Sequence, residues 1–122
     1  MLKIFLVFIG GGLGATLRYL LTIFLSGRIG NFPFGTLVIN IIGCFVMGVA
    51  FGFFAGKPDA EAYRVFITVG FLGGFTTLSA FFAETLALAS EGQFLFVTIS
   101  TFGNLFVAFF ACVLGLKLTH FL

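Results

Sequence analysis

The chain has very little charge. Of its 122 residues only 8% are charged, six of them Lys or Arg and four Asp or Glu, whereas 61% are apolar. A water-soluble domain carries roughly 25% charged residues, so this chain cannot cover its surface with ionic groups. The shortage of charge excludes an ordinary soluble globular domain and indicates that lipid is the solvent.

Residues that commonly carry catalysis are scarce as well. The chain has one histidine, His120, near its C-terminal end, and two cysteines, Cys44 and Cys112, inside apolar segments. No spacing indicates a metal site, a nucleophile with its base, or a loop that holds a phosphate. We therefore expect no enzyme, and we interpret the cysteines as small packing residues rather than as a disulfide.

Long apolar runs dominate the sequence. Residues 29–56, 65–83 and 92–116 are uncharged, and each run exceeds the ~18 residues of a membrane-span signal. A further run, Leu2 to about Leu25, contains Arg18, which we place toward the far end of the span because a charge at the centre costs roughly 2.5 to 3.5 kcal/mol. A signal peptide is the alternative for this run, but no clear cleavage site follows. The sequence predicts four spans in one membrane domain, residues 1–122.

Basic residues near the span ends give a weak topological bias. With four spans both termini lie on one side of the membrane, called side A. Side A holds four basic residues: Lys3, Lys57, Arg64 and Lys117. The opposite side B holds Arg28 and, more deeply, Arg18. Such a small difference under the positive-inside rule is compatible with insertion in both orientations.

Glycines at four-residue spacing predict small faces on three spans. They are Gly10 and Gly14, then Gly48, Gly52 and Gly56, then Gly70 and Gly74. Small faces let helices approach closely in lipid. We expect a tight bundle, and an oligomer, because four short helices bury little interior.

Eleven polar side chains of the spans fall at mid-depth or toward side B. They are Arg18, Thr36, Asn40, Thr76, Thr77, Ser79, Glu84, Thr98, Ser100, Thr101 and Asn104. One chain therefore offers polar lining for half a crossing, and two inverted chains would line a complete one. The asparagines either bind neighbouring helices or line a transport path. Arg18 and Glu84 form either a salt bridge or the mouth of a vestibule that attracts anions.

The stretch LGGFTT, residues 72–77, interrupts the third apolar run with small and polar residues. Two adjacent glycines disfavour a continuous helix by roughly 1 kcal/mol each. A break would free carbonyl groups that can hold a cation and amide groups that favour an anion. We predict a broken third span, with a continuous helix that uses the glycines as a packing notch as the alternative.

Three segments together resemble the Fluc (CrcB) fluoride channel family. They are GGGLGATLRY at 10–19, PFGTLVINIIGCFVMG at 33–48 and GFLGGFTTLSAFFAE at 70–84. The resemblance implies an all-α integral membrane fold of four transmembrane helices, the third broken mid-membrane, in an antiparallel, dual-topology homodimer. It also implies a fluoride-selective channel of the cell inner membrane, with two pores per dimer, that exports fluoride from the cytoplasm down its gradient and confers fluoride resistance.

The resemblance also implies roles for individual residues. A structural Na⁺ at the dimer centre would be held by the carbonyl groups of Gly73 and Thr76 from both chains. Arg18 and Glu84 would lie at a vestibule. The ion pathway would contain six residues: Asn40, Leu78, Ser79, Phe81, Ser100 and Asn104.

Leu78 departs from the family pattern. Members usually carry phenylalanine there, whose ring edge contacts the moving fluoride, and a leucine has no positive ring edge. Ala80 likewise replaces the usual threonine. We expect these departures to affect the conduction rate more than the identity of the ion.

Two other functions compete with the channel. A proton-coupled small multidrug exporter has similar length, span number and dual topology, but its coupling needs a carboxylate in the first span, where this chain carries Arg18 and no acidic residue. The chain also has no tryptophan for the usual aromatic cation site. A scaffold subunit of an assembly would explain the glycine faces but not Asn40, Asn104 or the interrupted third span.

Overall fold

The regular elements of the chain are helices. The computed structural model describes residues 1–27 and 30–121, so Arg28, predicted to lie on side B, is outside the described residues. Four helical segments are long and apolar enough to cross a membrane, which confirms the predicted all-α, four-span class of integral membrane protein. They are span 1, Leu2–Leu25; span 2, Phe34–Phe54; span 3, Pro58–Ser90; and span 4, Phe94–Thr119.

Spans 1 and 2 are uninterrupted α-helices. Span 1 ends at Leu25, and the backbone becomes extended at Ser26. Span 2 begins directly after Pro33, whose fixed φ suits the residue before or at a helix start. Past its C-terminal end Gly56 has φ +71°, a left-handed conformation that favours glycine. Gly56 therefore forms a turn, and the prediction that it belongs to the small face of span 2 is wrong.

Span 3 consists of several helical segments. A 3₁₀ turn, Pro58–Ala60, leads into α-helix Glu61–Arg64, π-helix Val65–Leu72 and α-helix Gly73–Phe75, which together form its first half. The second half is α-helix Leu78–Ser90. The helical span thus begins before the uncharged run 65–83 that indicated it in the sequence.

Two extended residues separate the halves of span 3. Thr76 has φ −78° and ψ 152°, and Thr77 has φ −147° and ψ 118°. The prediction placed the irregular backbone at the glycine pair, but Gly73 and Gly74 are helical. Thr77 suits the extended position because it caps the second half, its Oγ1 accepting from the Ala80 N–H at 3.2 Å.

Span 4 contains a π-helical insertion. α-Helix Phe94–Phe102 continues into π-helix Gly103–Val107 and then into α-helix Ala108–Thr119. A π-turn widens the helix and changes the direction of the side chains around it. Asn104 lies in this turn.

Glycine contacts hold the spans together in pairs. Span 1 packs on the first half of span 3, where a Cβ added to Gly14 would collide with the Phe71 carbonyl oxygen. Span 2 packs on span 4, where a Cβ on Gly48 would collide with the Cys112 carbonyl oxygen. Backbone therefore touches backbone at both contacts, as small-residue packing in membranes requires. Both cysteines are free thiols.

An ion pair joins the starts of spans 1 and 3. Lys3 Nζ lies 2.8 Å from Glu61 Oε2, and Arg64 Nη2 lies 3.9 Å from Glu61 Oε1. The N-terminal ends of these two spans therefore lie at the same end of the bundle. This end corresponds to side A.

Candidate functional site

Asn40 in span 2 binds the extended backbone of span 3. Its Oδ1 accepts from the Thr77 N–H at 2.9 Å, and its Nδ2 donates to the Thr77 carbonyl oxygen at 3.0 Å. The Thr77 N–H can only donate, so the atom of the Asn40 amide that faces it must be the accepting Oδ1. Asn40 is 8% exposed. Its amide bonds to both backbone polar groups of Thr77, as the backbone of a neighbouring β-strand would. Both backbone polar groups of Thr77, which no helix satisfies, are thereby paired.

A second amide extends this contact to span 4. Asn40 Nδ2 also donates to Asn104 Oδ1 at 2.7 Å, and Asn104 Nδ2 donates to the Ser100 carbonyl oxygen at 2.9 Å. Ser100 is 1% exposed. Both hydrogens of Asn40 Nδ2 are thus used, whereas one hydrogen of Asn104 Nδ2 has no partner among residues 1–27 and 30–121. The asparagines join spans 2, 3 and 4 through one polar network.

Arg18 in span 1 binds the end of the first half of span 3. Its Nε donates to the Gly74 carbonyl oxygen at 3.1 Å. In a continuous helix this carbonyl would accept from the N–H of Leu78, but the extended residues remove that donor. Arg18 and Glu84 were predicted to lie together, as a salt bridge or a vestibule mouth; within the described part of the chain no ion pair joins them.

Glu84 instead contacts span 2. Its Oε1 accepts from Thr36 Oγ1 at 2.7 Å, while its Oε2 is buried and has no hydrogen-bond partner in the described chain. Glu84 borders two cavities of about 190 and 300 Å³ near the side-B ends of the spans. The smaller cavity is also lined by Thr22, Ser26 and Asn31. Arg18 does not line either cavity.

The six predicted pathway residues fall into three groups. Asn40, Ser100 and Asn104 share the polar network. Leu78 is 62% exposed on the surface of the chain, and neighbouring Ser79 is exposed too, its Oγ 3.3 Å from Thr77 Oγ1. Phe81 is 3% exposed and packs inside the chain. A single chain does not bring these residues into one lining.

The two predicted cation ligands leave their carbonyl oxygens available. Thr76 donates both its N–H and its Oγ1 hydrogen to the Leu72 carbonyl oxygen, at 3.0 and 2.9 Å. In the part of the chain described, no turn or side-chain hydrogen bond reaches the carbonyl oxygen of Gly73 or of Thr76. Gly73 is exposed. Carbonyl groups of unwound backbone are the usual oxygen ligands of Na⁺ within membranes.

The comparison with protein families covers nearly the whole chain. The family described as "CrcB-like protein, Camphor Resistance (CrcB)" matches residues 5–116. The chain belongs to the CrcB-like family. The resemblance seen in the three sequence segments is thereby confirmed.

Three relatives are 39 to 41% identical to this chain over nearly its whole length. "Fluoride-specific ion channel FluC" of Shewanella baltica OS155 is 40% identical over 117 residues, 95% of this chain and 94% of the relative. The protein of the same name from Shewanella sp. W3-18-1 is 41% identical over 119 residues, 97% and 96% of the two chains. "Fluoride-specific ion channel FluC 2" of Nitrobacter hamburgensis is 39% identical over 119 residues, 96% of each chain. These names describe channels and not enzymes, in agreement with the sequence prediction.

Two contact residues of this CrcB-like chain were counted among its polar side chains but were given no individual role from the sequence. Thr77 pairs with Asn40, and its position directly before the helix Leu78–Ser90 is a recognisable N-cap signal. Thr36 is 3% exposed and donates to Glu84, 48 positions along the chain. A contact between residues so far apart in the sequence cannot be recognised from local sequence patterns.

Proposed function

We propose that the chain forms a fluoride-selective channel. The observation that carries the proposal is the polar network of Asn40, Thr77 and Asn104, which joins spans 2, 3 and 4 among mainly apolar helices. The names of relatives about 40% identical over 95% of the chain support fluoride as the ion. Fluoride is small and strongly hydrated, so a pore that strips its water must supply close hydrogen-bond donors in a narrow, dry passage.

The channel is an antiparallel homodimer with two pores, and the interruption of span 3 lies at mid-membrane. Two features of the single chain support this assembly. Most polar groups within its spans occupy one half of the predicted crossing, and Gly73, Leu78 and Ser79 are exposed where span 3 is interrupted. An inverted second copy would cover these residues and supply the other half of each pathway. Dual insertion would provide both orientations.

A structural Na⁺ at the dimer centre fits the donor set of span 3. The carbonyl oxygens of Gly73 and Thr76 are not used by turn or side-chain hydrogen bonds in the described residues. When bound, Na⁺ would supply a positive charge that ties the two chains together. The helical geometry at Gly73 points its oxygen along the helix axis toward Thr77, whose N–H donates to Asn40 instead, and the backbone at Thr76 is extended.

Different residues of the chain contribute to different parts of the conduction pathway. The cavities beside Glu84 form the vestibule at side B. Asn104 offers the amide hydrogen that the network leaves free, Ser79 offers a hydroxyl group, and Phe81 offers a ring edge to the anion. Leu78 supplies no such edge, so conduction is slower than with phenylalanine at this position. Fluoride leaves the cytoplasm across the inner membrane down its gradient, which confers resistance.

The experiment is ion efflux from liposomes that contain the purified protein, followed with fluoride and chloride electrodes under a potassium diffusion potential. We expect fast fluoride release with negligible chloride release, and loss of release in Asn104→Leu. Thr68→Ala is the matched control, because this hydroxyl group donates to the Arg64 carbonyl oxygen of its own helix and does not belong to the predicted lining. Uptake of an organic cation driven by a proton gradient, without fluoride release, would show that the exporter hypothesis is correct instead.

A further inference from the structure

We infer that Arg18 is a positioning residue, which holds the interrupted end of span 3 by capping the Gly74 carbonyl group. The inference deepens the proposed function and rests on it only where transport is measured. It assigns Arg18 a role different from that of a vestibule residue that attracts anions. The role depends on the Nε hydrogen bond and not on the positive charge.

Packing of span 1 brings Arg18 to this carbonyl. Gly14 lies so close to span 3 that a Cβ there would collide with the Phe71 carbonyl oxygen, and a Cβ on Gly74 would collide with the carbonyl oxygen of Gly11. Arg18 follows Gly14 by four residues, about one helical turn, on the same face. The backbone contact therefore places the Arg18 side chain beside the last turn of the first half.

The hydrogen bonds around the interruption leave a defined set of carbonyl groups free. The Leu72 carbonyl oxygen accepts twice from Thr76, the Gly74 carbonyl oxygen accepts from Arg18, and the Thr77 carbonyl oxygen accepts from Asn40. The carbonyl groups of Gly73, Phe75 and Thr76 lie between these fixed points, and those of Gly73 and Thr76 are the pair proposed to bind Na⁺. These hydrogen bonds fix the neighbouring carbonyl groups, so the Gly73 and Thr76 oxygens stay in place for a cation that two chains share.

Burial explains why the cap is needed. Arg18 is part of a half-buried contact, and the hydrocarbon region of a bilayer supplies no water to an unpaired carbonyl group. Its loss is expected to favour opening of the residues around the interruption, either by fraying of the last turn or by rearrangement of Thr76 and Thr77. The cap and the Asn40 contact act on the two sides of the same irregular segment.

The chain allows the hydrogen bond and the charge to be separated. The Nε2 amide of glutamine is the same number of bonds from Cα as the Nε of arginine, so Arg18→Gln keeps a donor at this place and removes the charge. Arg18→Met puts a methyl group there and removes both. Arg64→Met is the matched control, because Arg64 is an exposed basic residue of the first half of span 3 whose guanidinium lies 3.9 Å from Glu61.

The test is hydrogen–deuterium exchange of residues 73–81, measured by mass spectrometry on the purified protein without fluoride, beside fluoride release from liposomes. Arg18→Met should raise exchange of this segment about tenfold, in line with loss of one hydrogen bond between a side chain and the backbone. Arg18→Gln and Arg64→Met should exchange like the wild type. Arg18→Gln should also retain fluoride release, whereas Arg18→Met should lose most of it.

Three outcomes would overturn the inference: unchanged exchange in Arg18→Met, equally raised exchange in Arg18→Gln, or loss of fluoride release in Arg18→Gln with normal exchange. The last of these is the pattern of an anion-attracting charge. If Arg18→Met fails to fold, a folded Arg18→Gln with wild-type exchange supports the cap, and an unfolded Arg18→Gln contradicts it. Absence of fluoride release from the wild type would contradict the proposed function alone, because the exchange result does not depend on transport.

Discussion

Replacing Asn40 by alanine should strongly destabilise the fold. The change removes three hydrogen bonds, of 2.9 and 3.0 Å to the backbone of Thr77 and 2.7 Å to Asn104. Hydrogen bonds between membrane helices contribute about 0.6 kcal/mol on average and at most about 1.7 kcal/mol. We therefore expect Asn40→Ala to lower the free energy of unfolding by about 2 to 5 kcal/mol. The upper part of this range applies if the Thr77 groups find no other partner.

The assay is reversible unfolding in mixed micelles, followed by circular dichroism or by steric trapping. Thr98→Ala is the control, because it removes an exposed hydroxyl group that bonds within its own helix, and it should change the free energy by less than about 0.5 kcal/mol. A double-mutant cycle with Asn104→Ala should give a coupling energy of at least about 0.5 kcal/mol between the two asparagines. An effect of Asn40→Ala no larger than that of Thr98→Ala would refute the view that Asn40 holds the interrupted backbone.

Three further changes test other contacts. Gly48→Ala should weaken the packing of span 2 on span 4 by about 1 to 3 kcal/mol in the same unfolding assay, because the added methyl group meets the rigid carbonyl group of Cys112, and an unchanged stability would contradict this backbone contact. Leu78→Phe should raise the rate of fluoride release several-fold without admitting chloride, and an equal or lower rate would mean that position 78 takes no part in conduction. Lys3→Ala should change the unfolding free energy by less than about 1 kcal/mol, since the ion pair with Glu61 is about half exposed; a larger loss would mean that it anchors span 1.

The sequence predicted the spans well because apolar run length is a local property. Span 1 has the predicted bounds, Leu2–Leu25, even though it contains Arg18. The position of the irregular backbone was predicted less well. Helix propensity disfavours Gly73 and Gly74 by only roughly 1 kcal/mol each, and close packing of Gly74 on Gly11 offsets that cost.

Partners of the polar residues could not be predicted from charge and depth. Arg18 and Glu84 were grouped because their charges are opposite, yet each binds a neutral group of another span, the Gly74 carbonyl and the Thr36 hydroxyl. Asn40 was expected either to bind neighbouring helices or to line a transport path. Its partner is the backbone of Thr77, and only the three-dimensional packing of spans 2 and 3 brings that backbone within reach.

Recordings of the reconstituted protein in planar bilayers, with fluoride and chloride gradients of opposite direction, test the fluoride channel most directly. We expect a current whose reversal potential follows the fluoride gradient, and which Asn104→Leu abolishes. A reversal potential set by chloride or by protons, or a current that survives in Asn104→Leu, would contradict the account.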